Sequence, residues 1–360
     1  MTSTHLIHTR LHNQQLLTSS FTKPEEVVQW LGAVQAQDYA GAKWAIAQRC
    51  PAITDKAIDT ALTDGRIIRT HIMRPTWHFV TPEDIQWILA ITSHKVKALN
   101  APYCSKYGLE QPFMERCLNH LQETLTGNQQ KTRPELLLSL QEAGLSVTQE
   151  GISHIMIQAE QEGIVCSGGL KGKHHTYKLL TECAPFVNPL SKEEALAKLS
   201  LRYFTSHGPA TLKDYIWWSG LSVTDARKGL ALIQSNLVQE TIDNQTYWFT
   251  ESASPINDES SKVYLLPNYD EYIVGYANRE VLTDKQTQIP RGNILFSNTL
   301  IVNGQITGTW KRTLRKSSVQ VDITLFRSLK ENEEQSLHEV GRQYASFLEL
   351  PEGYTLNISR

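Results

Sequence analysis

The sequence predicts a mixed α+β fold: three tandem winged helix-turn-helix units followed by a C-terminal β-rich domain. Three observations predict it. A helix, turn, helix, hairpin order recurs three times, Thr, Ser, Pro and Gly punctuate its boundaries, and short β-rich runs take over after a polar stretch at 251–261. A chain of 360 residues is too long for one ordinary core. The expected division is 1–100, 101–185 and 186–255 for the three units and 256–360 for the last domain.

In the first unit a helix-like stretch stops at Gly32 and runs into Val34-Gln35-Ala36-Gln37-Asp38. Thr54 then opens a helix over 55–63, Gly65 closes it, and 66–71 pairs with 76–80 across Arg74-Pro75. Pro82 starts a further helix. In the second unit Thr132 with Arg133-Pro134 opens a helix over 135–140 that ends at Gly144. Thr148 caps a helix over 149–162, with Ile152, Ile155, Met156 and Ala159 at helical spacing and Gly163 at its end. A hairpin follows from 164–166 and 176–179, joined by the glycine- and lysine-rich 168–173. The third unit repeats the order: Thr211 opens 212–219, Gly220 closes it, Ser222 opens 223–234, and 237–240 pairs with 246–249 across Asp243-Asn244. In the last domain Asn303-Gly304 is the strongest hairpin signal, 319–326 alternates as a strand, and 331–348 reads as a closing helix.

Composition narrows the function. No apolar run approaches the roughly 18 residues a bilayer demands, and the first residues lack a secretory pattern, so a cytoplasmic protein is expected. The five cysteines (Cys50, Cys104, Cys117, Cys166, Cys183) form no Cys-x-x-Cys pair, which argues for reduced thiols and against zinc. His174-His175 has no third ligand at a helpful spacing. Phosphate-loop, Rossmann, zinc-helix and nucleophile-elbow motifs are missing, so neither metal nor cofactor is expected.

A formal charge of −2 confines any nucleic-acid surface to local patches. Arg66, Arg69, His71, Arg74 and His78 sit on the first wing, Lys171, Lys173, His174 and His175 on the second, and no cation on the third. The last hairpin runs into Trp310-Lys311-Arg312-Thr313-Leu314-Arg315-Lys316, where cations beside an indole suit a phosphate backbone and a stacked base. A strand edge protected by charge is the alternative for that run. Winged helices also serve as protein-interaction modules, but a recognition helix plus a wing is shaped for a groove. Asn268-Tyr269-Asp270-Glu271-Tyr272 reads equally as a catalytic or DNA-facing loop and as a capped turn.

Gln35 and Gln37 would point to opposite sides of a helix but to one side of an extended segment. If the helix ends at Gly32, the pair can converge on one small polar object such as a water. Asp38 is either an auxiliary that stabilises developing positive charge or a solvated turn residue. His78 is either a second auxiliary or a satisfied, half-buried histidine, and Trp77 packs on the opposite face of the strand.

With the three units, the glutamines and the basic hairpin in place, the chain resembles the AlkZ/YcaQ-type winged-helix DNA glycosylase family over nearly its whole length. The resemblance rests on Val34-Gln35-Ala36-Gln37, on Arg69-Thr70-His71-Ile72-Met73-Arg74-Pro75-Thr76-Trp77-His78-Phe79-Val80, on Leu265-Leu266-Pro267-Asn268-Tyr269-Asp270-Glu271-Tyr272, and on Gly308-Thr309-Trp310-Lys311-Arg312. It implies excision of bulky or cross-linking alkylated purines from duplex DNA and assigns Gln35 and Gln37 to the catalytic water. Arg69, His71, Arg74, Lys171, Lys173, Trp310, Lys311, Arg312, Arg315 and Lys316 are the expected DNA contacts.

The chemistry is consistent with carboxamides. Glutamine is no general base at neutral pH. Alkylation at N7 or N3 makes the purine cationic, so it leaves neutral, and orienting a water at C1′ becomes the main task. No lysine is singled out as a Schiff-base nucleophile, so the expectation is a monofunctional hydrolase. The alternative is a non-enzymatic DNA-binding regulator, but three non-identical units suit a monomer better than a symmetric half-site reader.

Overall fold

The computed structural model describes residues 2–184, 188–251, 262–283 and 294–359. Past Glu251, the polar stretch expected to act as a linker lies outside them. The fold is mixed α+β, and local punctuation accounts for most element ends. Thr54, Thr132, Thr211 and Ser222 each accept a backbone N–H three residues on, and Thr148 does the same from Gly151. Each such cap contributes about 1 kcal/mol.

The first segment opens with the helix Ser3–Asn13. The next helix, Pro24–Leu31, stops because Gly32 takes φ 83°, a left-handed value that glycine adopts without steric cost. The chain then extends through Val34–Gln35 and re-enters helices at Tyr39–Ala47 and Asp55–Thr63. The first hairpin, Ile68–His71 with Trp77–Val80, gains Val34–Gln35 as a third strand, so Gln35 lies opposite His78. The helix expected to start at Pro82 starts at Ile85 and runs to Lys106.

The second segment holds helices Gln111–Leu125, Arg133–Glu142 and Gly151–Gln161. Its hairpin, Val165–Lys171 with His174–Leu179, is longer than expected. Gly168 and Gly169 lie within the strand at a register shift, and the turn contracts to Gly172-Lys173. The third segment holds Lys192–Ser206, Leu212–Ser219 and Val223–Ile233, then the hairpin Val238–Ile242 with Gln245–Phe249. Asp243 and Asn244 both take positive φ, as a two-residue hairpin turn demands. The C-terminal sheet has five strands in the order Tyr354–Ser359, Val319–Leu325, Gln305–Leu314, Thr299–Val302, Val263–Leu266; only the first pair is parallel. Glu331–Phe347 packs against it.

The hydrophobic cores cross these segments. One core joins Val27, Trp44 and Ile58 to Leu265, Val321 and Tyr344 of the C-terminal sheet and helix. Another joins Ile68, Ile72 and Ile88 of the first segment to Tyr203, Trp218 and Leu230 of the third. Ile7 and Leu11 of the first helix pack on Leu266 and Tyr272. Residues from 109 to 179 keep a core of their own. The first segment is therefore the shared wall of the molecule. Among the described residues, no helix is long and apolar enough to cross a membrane.

Candidate active site

The stop at Gly32 decides the geometry of the two glutamines. Val34–Gln35 is a short strand paired with Phe79 and His78, Ala36 N–H donates to the Trp77 carbonyl at 2.7 Å, and Gln37 lies in the bend that leads into Tyr39–Ala47. Both glutamine side chains bond to the first hairpin. Gln35 is buried, and its backbone N–H donates to Glu271 Oε1 at 2.9 Å. Its Oε1 accepts from Arg74 Nη2 at 2.9 Å. Gln37 is exposed, and its Oε1 accepts the Trp77 N–H at 3.3 Å. Between them the Ala36 carbonyl accepts from Arg69 Nε and Nη2 at 3.2 and 3.1 Å. The motif is thus fixed at three successive residues, and each glutamine oxygen keeps one lone pair.

Glu271 lies behind this motif. It is fully buried; Oε2 accepts from Trp218 Nε1 at 2.9 Å and faces His207 Nε2 at 3.3 Å. Burial alone would raise its pKa, but hydrogen bonding from His207, the charge of Arg74 and the Gln35 N–H outweigh burial and lower it. The residue before it, Asp270, caps the short helix Glu271–Val274 and takes both Arg49 nitrogens at 2.8 Å in a buried pair. The 268–272 run is therefore a capped turn, and it also anchors the glutamine segment. No local signal in the sequence joins Glu271 to Gln35, 236 residues apart.

His78 is more buried than expected, at 1% exposure. Burial and then the Arg74 charge push its pKa down to about 3, so the ring is neutral. Nδ1 donates to the Thr76 carbonyl at 2.9 Å, which leaves Nε2 as an acceptor facing Arg74 Nη2 at 3.4 Å. Asp38 is committed to structure, with Oδ1 accepting the Gly41 N–H at 3.0 Å as the cap of Tyr39–Ala47.

The first-wing cations correct the sequence expectation. Arg69, His71 and Arg74 turn inward rather than toward solvent. Arg69 is 6% exposed and lies against the Trp77 ring at 4.1 Å; burial lowers its pKa to about 10. His71 Nδ1 meets the fully buried Glu160 at 2.5 Å, and its ring packs at a tilt on Trp77, with ring centroids 4.0 Å apart. The cause is enclosure, because Gly151–Gln161 and Val165–Lys171 pack against the strand Ile68–His71. Trp310 is a second correction. Strand alternation puts it inside, where its N–H donates to the Leu266 carbonyl at 2.8 Å and its ring meets Tyr344 edge-on. It cannot stack on a base.

The remaining cations lie outward. Lys171 is exposed and paired with Glu135, and Lys173 is exposed at the second hairpin tip. Lys311, Arg315 and Lys316 are exposed; Arg315 donates to Gln320 at 2.7 Å, and half-buried Arg312 donates to the Tyr344 hydroxyl at 2.5 Å. Nothing local in the sequence joins His175 of the second hairpin to Tyr39, two residues after Gln37, whose ring it meets at 4.6 Å between centroids. Among the described residues no group of three His, Cys, Asp or Glu is placed to hold a metal.

A sequence model described as "DNA glycosylase AlkZ-like" matches residues 28–347. An interstrand DNA cross-link repair glycosylase from Streptomyces sahachiroi is 21% identical over 318 residues, covering 84% of this chain and 85% of that protein. The solved structure of the Streptomyces sahachiroi DNA glycosylase AlkZ superposes with a TM-score of 0.81 at 18% identity, covering 99% of both chains.

Proposed function

The chain belongs to the AlkZ-like DNA glycosylase family and is an N-glycosyl hydrolase, and on that premise we propose that it excises N7- or N3-alkylated purines from duplex DNA with a water oriented by Gln35 and Gln37. The observation that supports this reading is that the first hairpin holds both carboxamide oxygens, Gln35 through Arg74 and Gln37 through the Trp77 N–H, each keeping one lone pair. A water donating its protons to those lone pairs turns its own lone pair outward, toward C1′. The alkylated base carries the positive charge, departs neutral with the bonding electrons, and leaves an oxocarbenium-like sugar. Water adds to it and releases a proton to solvent. Orientation dominates such a step. A neutral, unmodified purine would need a proton donor, and among the described residues His78 is neutral and Glu271 is held in its charged form. The order of helices and hairpins supports reading each helix pair plus hairpin as a winged helix, with the C-terminal sheet as a fourth unit; three non-identical units in one chain suit a monomer. The Streptomyces relative's name extends the substrate class to interstrand DNA cross-links.

Release of 7-methylguanine from duplex DNA tests the reading. Gln37→Ala and Gln35→Ala should each slow single-turnover release by about a hundredfold with duplex affinity retained. Normal release by either variant would sink the two-glutamine mechanism. A panel from methyl adducts to interstrand cross-links then defines the substrate range.

A further inference from the structure

We propose that Arg74 is a positioning residue that sets which end of the Gln35 carboxamide faces the water; the inference rests on the water-holding reading above. A carboxamide is nearly symmetric in shape, yet only its oxygen can accept a proton from water. A guanidinium has donors alone, so Arg74 Nη2 at 2.9 Å admits Oε1 and repels an inverted NH2. The same nitrogen faces the His78 acceptor at 3.4 Å, and His78 is the register partner of Gln35. Two acceptors on adjacent strands therefore bracket one donor.

The hairpin tip is built to deliver that donor. Met73 takes φ 65°, an uncommon conformation for a residue with a side chain. Arg74 N–H donates to the Ile72 carbonyl around Met73, and Thr76 N–H to the Arg74 carbonyl around Pro75, both at 2.7 Å. These two tight turns fold Arg74 back toward Gln35. Strained backbone of this kind persists where the surroundings impose it. The surroundings here are the turn at Gly220 in the third segment, where an added Cβ would sit 2.3 Å from the Met73 carbonyl oxygen.

Packing alone does not account for this arginine. A buried guanidinium kept for stability normally meets a carboxylate. Among the described residues Arg74 forms no ion pair, and its Nε is buried without a partner. Glu271 balances it at longer range while bonding to the Gln35 backbone. The cationic purine therefore does not meet an uncompensated positive charge.

The test uses the full chain with three readouts: single-turnover release of 7-methylguanine, duplex affinity, and the Gln35 side-chain NH2 signal in a 15N NMR spectrum, assigned through Gln35→Ala. Arg74→Ala should slow release by about tenfold to a hundredfold, change duplex affinity less than about twofold, and move the NH2 signal. Arg74→Lys should recover part of the rate, and it also serves as the variant if alanine prevents folding. Arg74→Ala combined with Gln35→Ala should be no slower than Gln35→Ala alone. An unmoved NH2 signal, or losses that multiply in the double variant, overturns the proposal. If Gln35→Ala itself releases base at the wild-type rate, the water-holding reading falls, and the NH2 signal still decides whether Arg74 positions the side chain.

Discussion

The first and second hairpins carry comparable sets of cations and aim them in opposite directions. On the first, Arg69, His71 and Arg74 each turn inward onto a specific acceptor: the Ala36 carbonyl, Glu160 and Gln35. On the second, Lys171 and Lys173 stand in solvent at the tip. The difference lies in what surrounds each hairpin. The first is covered by the Val34–Gln35 strand on one edge and by the second segment on the other. The second packs on the first through Val165–Lys171 and is edged by Lys131-Thr132 at Tyr177 and Thr176, but its tip at Gly172 has open space around it. Enclosed charge becomes framework for the glutamines; projecting charge stays available to phosphate.

Three experiments press on this contrast. The largest effect belongs to the enclosed side. His71→Ala should strand the fully buried Glu160 and cost about 3 kcal/mol, measured by denaturant unfolding. A loss below about 1 kcal/mol would mean that the first hairpin behaves like a surface wing.

The second experiment is a pH titration of stability. His78 binds its proton at about 3 when folded against an ordinary value of 6.5, so the unfolded chain holds more protons between those values. Stability is full above 6.5 and falls as pH drops from there toward 3, by up to about 1.4 kcal/mol per pH unit. His78→Asn should flatten that slope. The second hairpin responds in a lower window: Lys171 holds the exposed Glu135 carboxyl at about 2, so its contribution is present above 4.5 and lost as pH falls through 2. An exposed pair makes that response small.

The smallest stability effect belongs to the second tip. Lys171→Ala with Lys173→Ala should leave unfolding free energy within about 0.5 kcal/mol while lowering the salt dependence of duplex binding by nearly two units of log-log slope. An unchanged slope would remove this hairpin from the DNA surface.

Much of this was legible in the sequence, where the signals are local. Gly32 marked the helix stop before the glutamines, Thr132 and Thr211 marked helix starts, and Asp243-Asn244 and Asn303-Gly304 marked turns that take positive φ. What escaped depends on partners distant in the chain. Arg69 and Arg74 read as wing charge because the strand that covers them lies more than 30 residues upstream. Trp310 read as a stacking ring because the cations after it hid the alternation that buries it. Glu271 could not be joined to Gln35 by any spacing rule, since only the packed fold brings them together.

The distribution of the cores has a consequence for how such a chain can diversify. Residues of the first segment pack in three of the four hydrophobic clusters identified among the described residues, so a change there disturbs several neighbours at once. Residues 109–179 keep a core of their own and carry a projecting basic tip, yet Gly151–Gln161 packs along Ile85–Lys106 and, with Val165–Lys171, along Ile68–His71. The tip is the part of that segment that can be lengthened or recharged, while the face that braces the first hairpin is held to its partners.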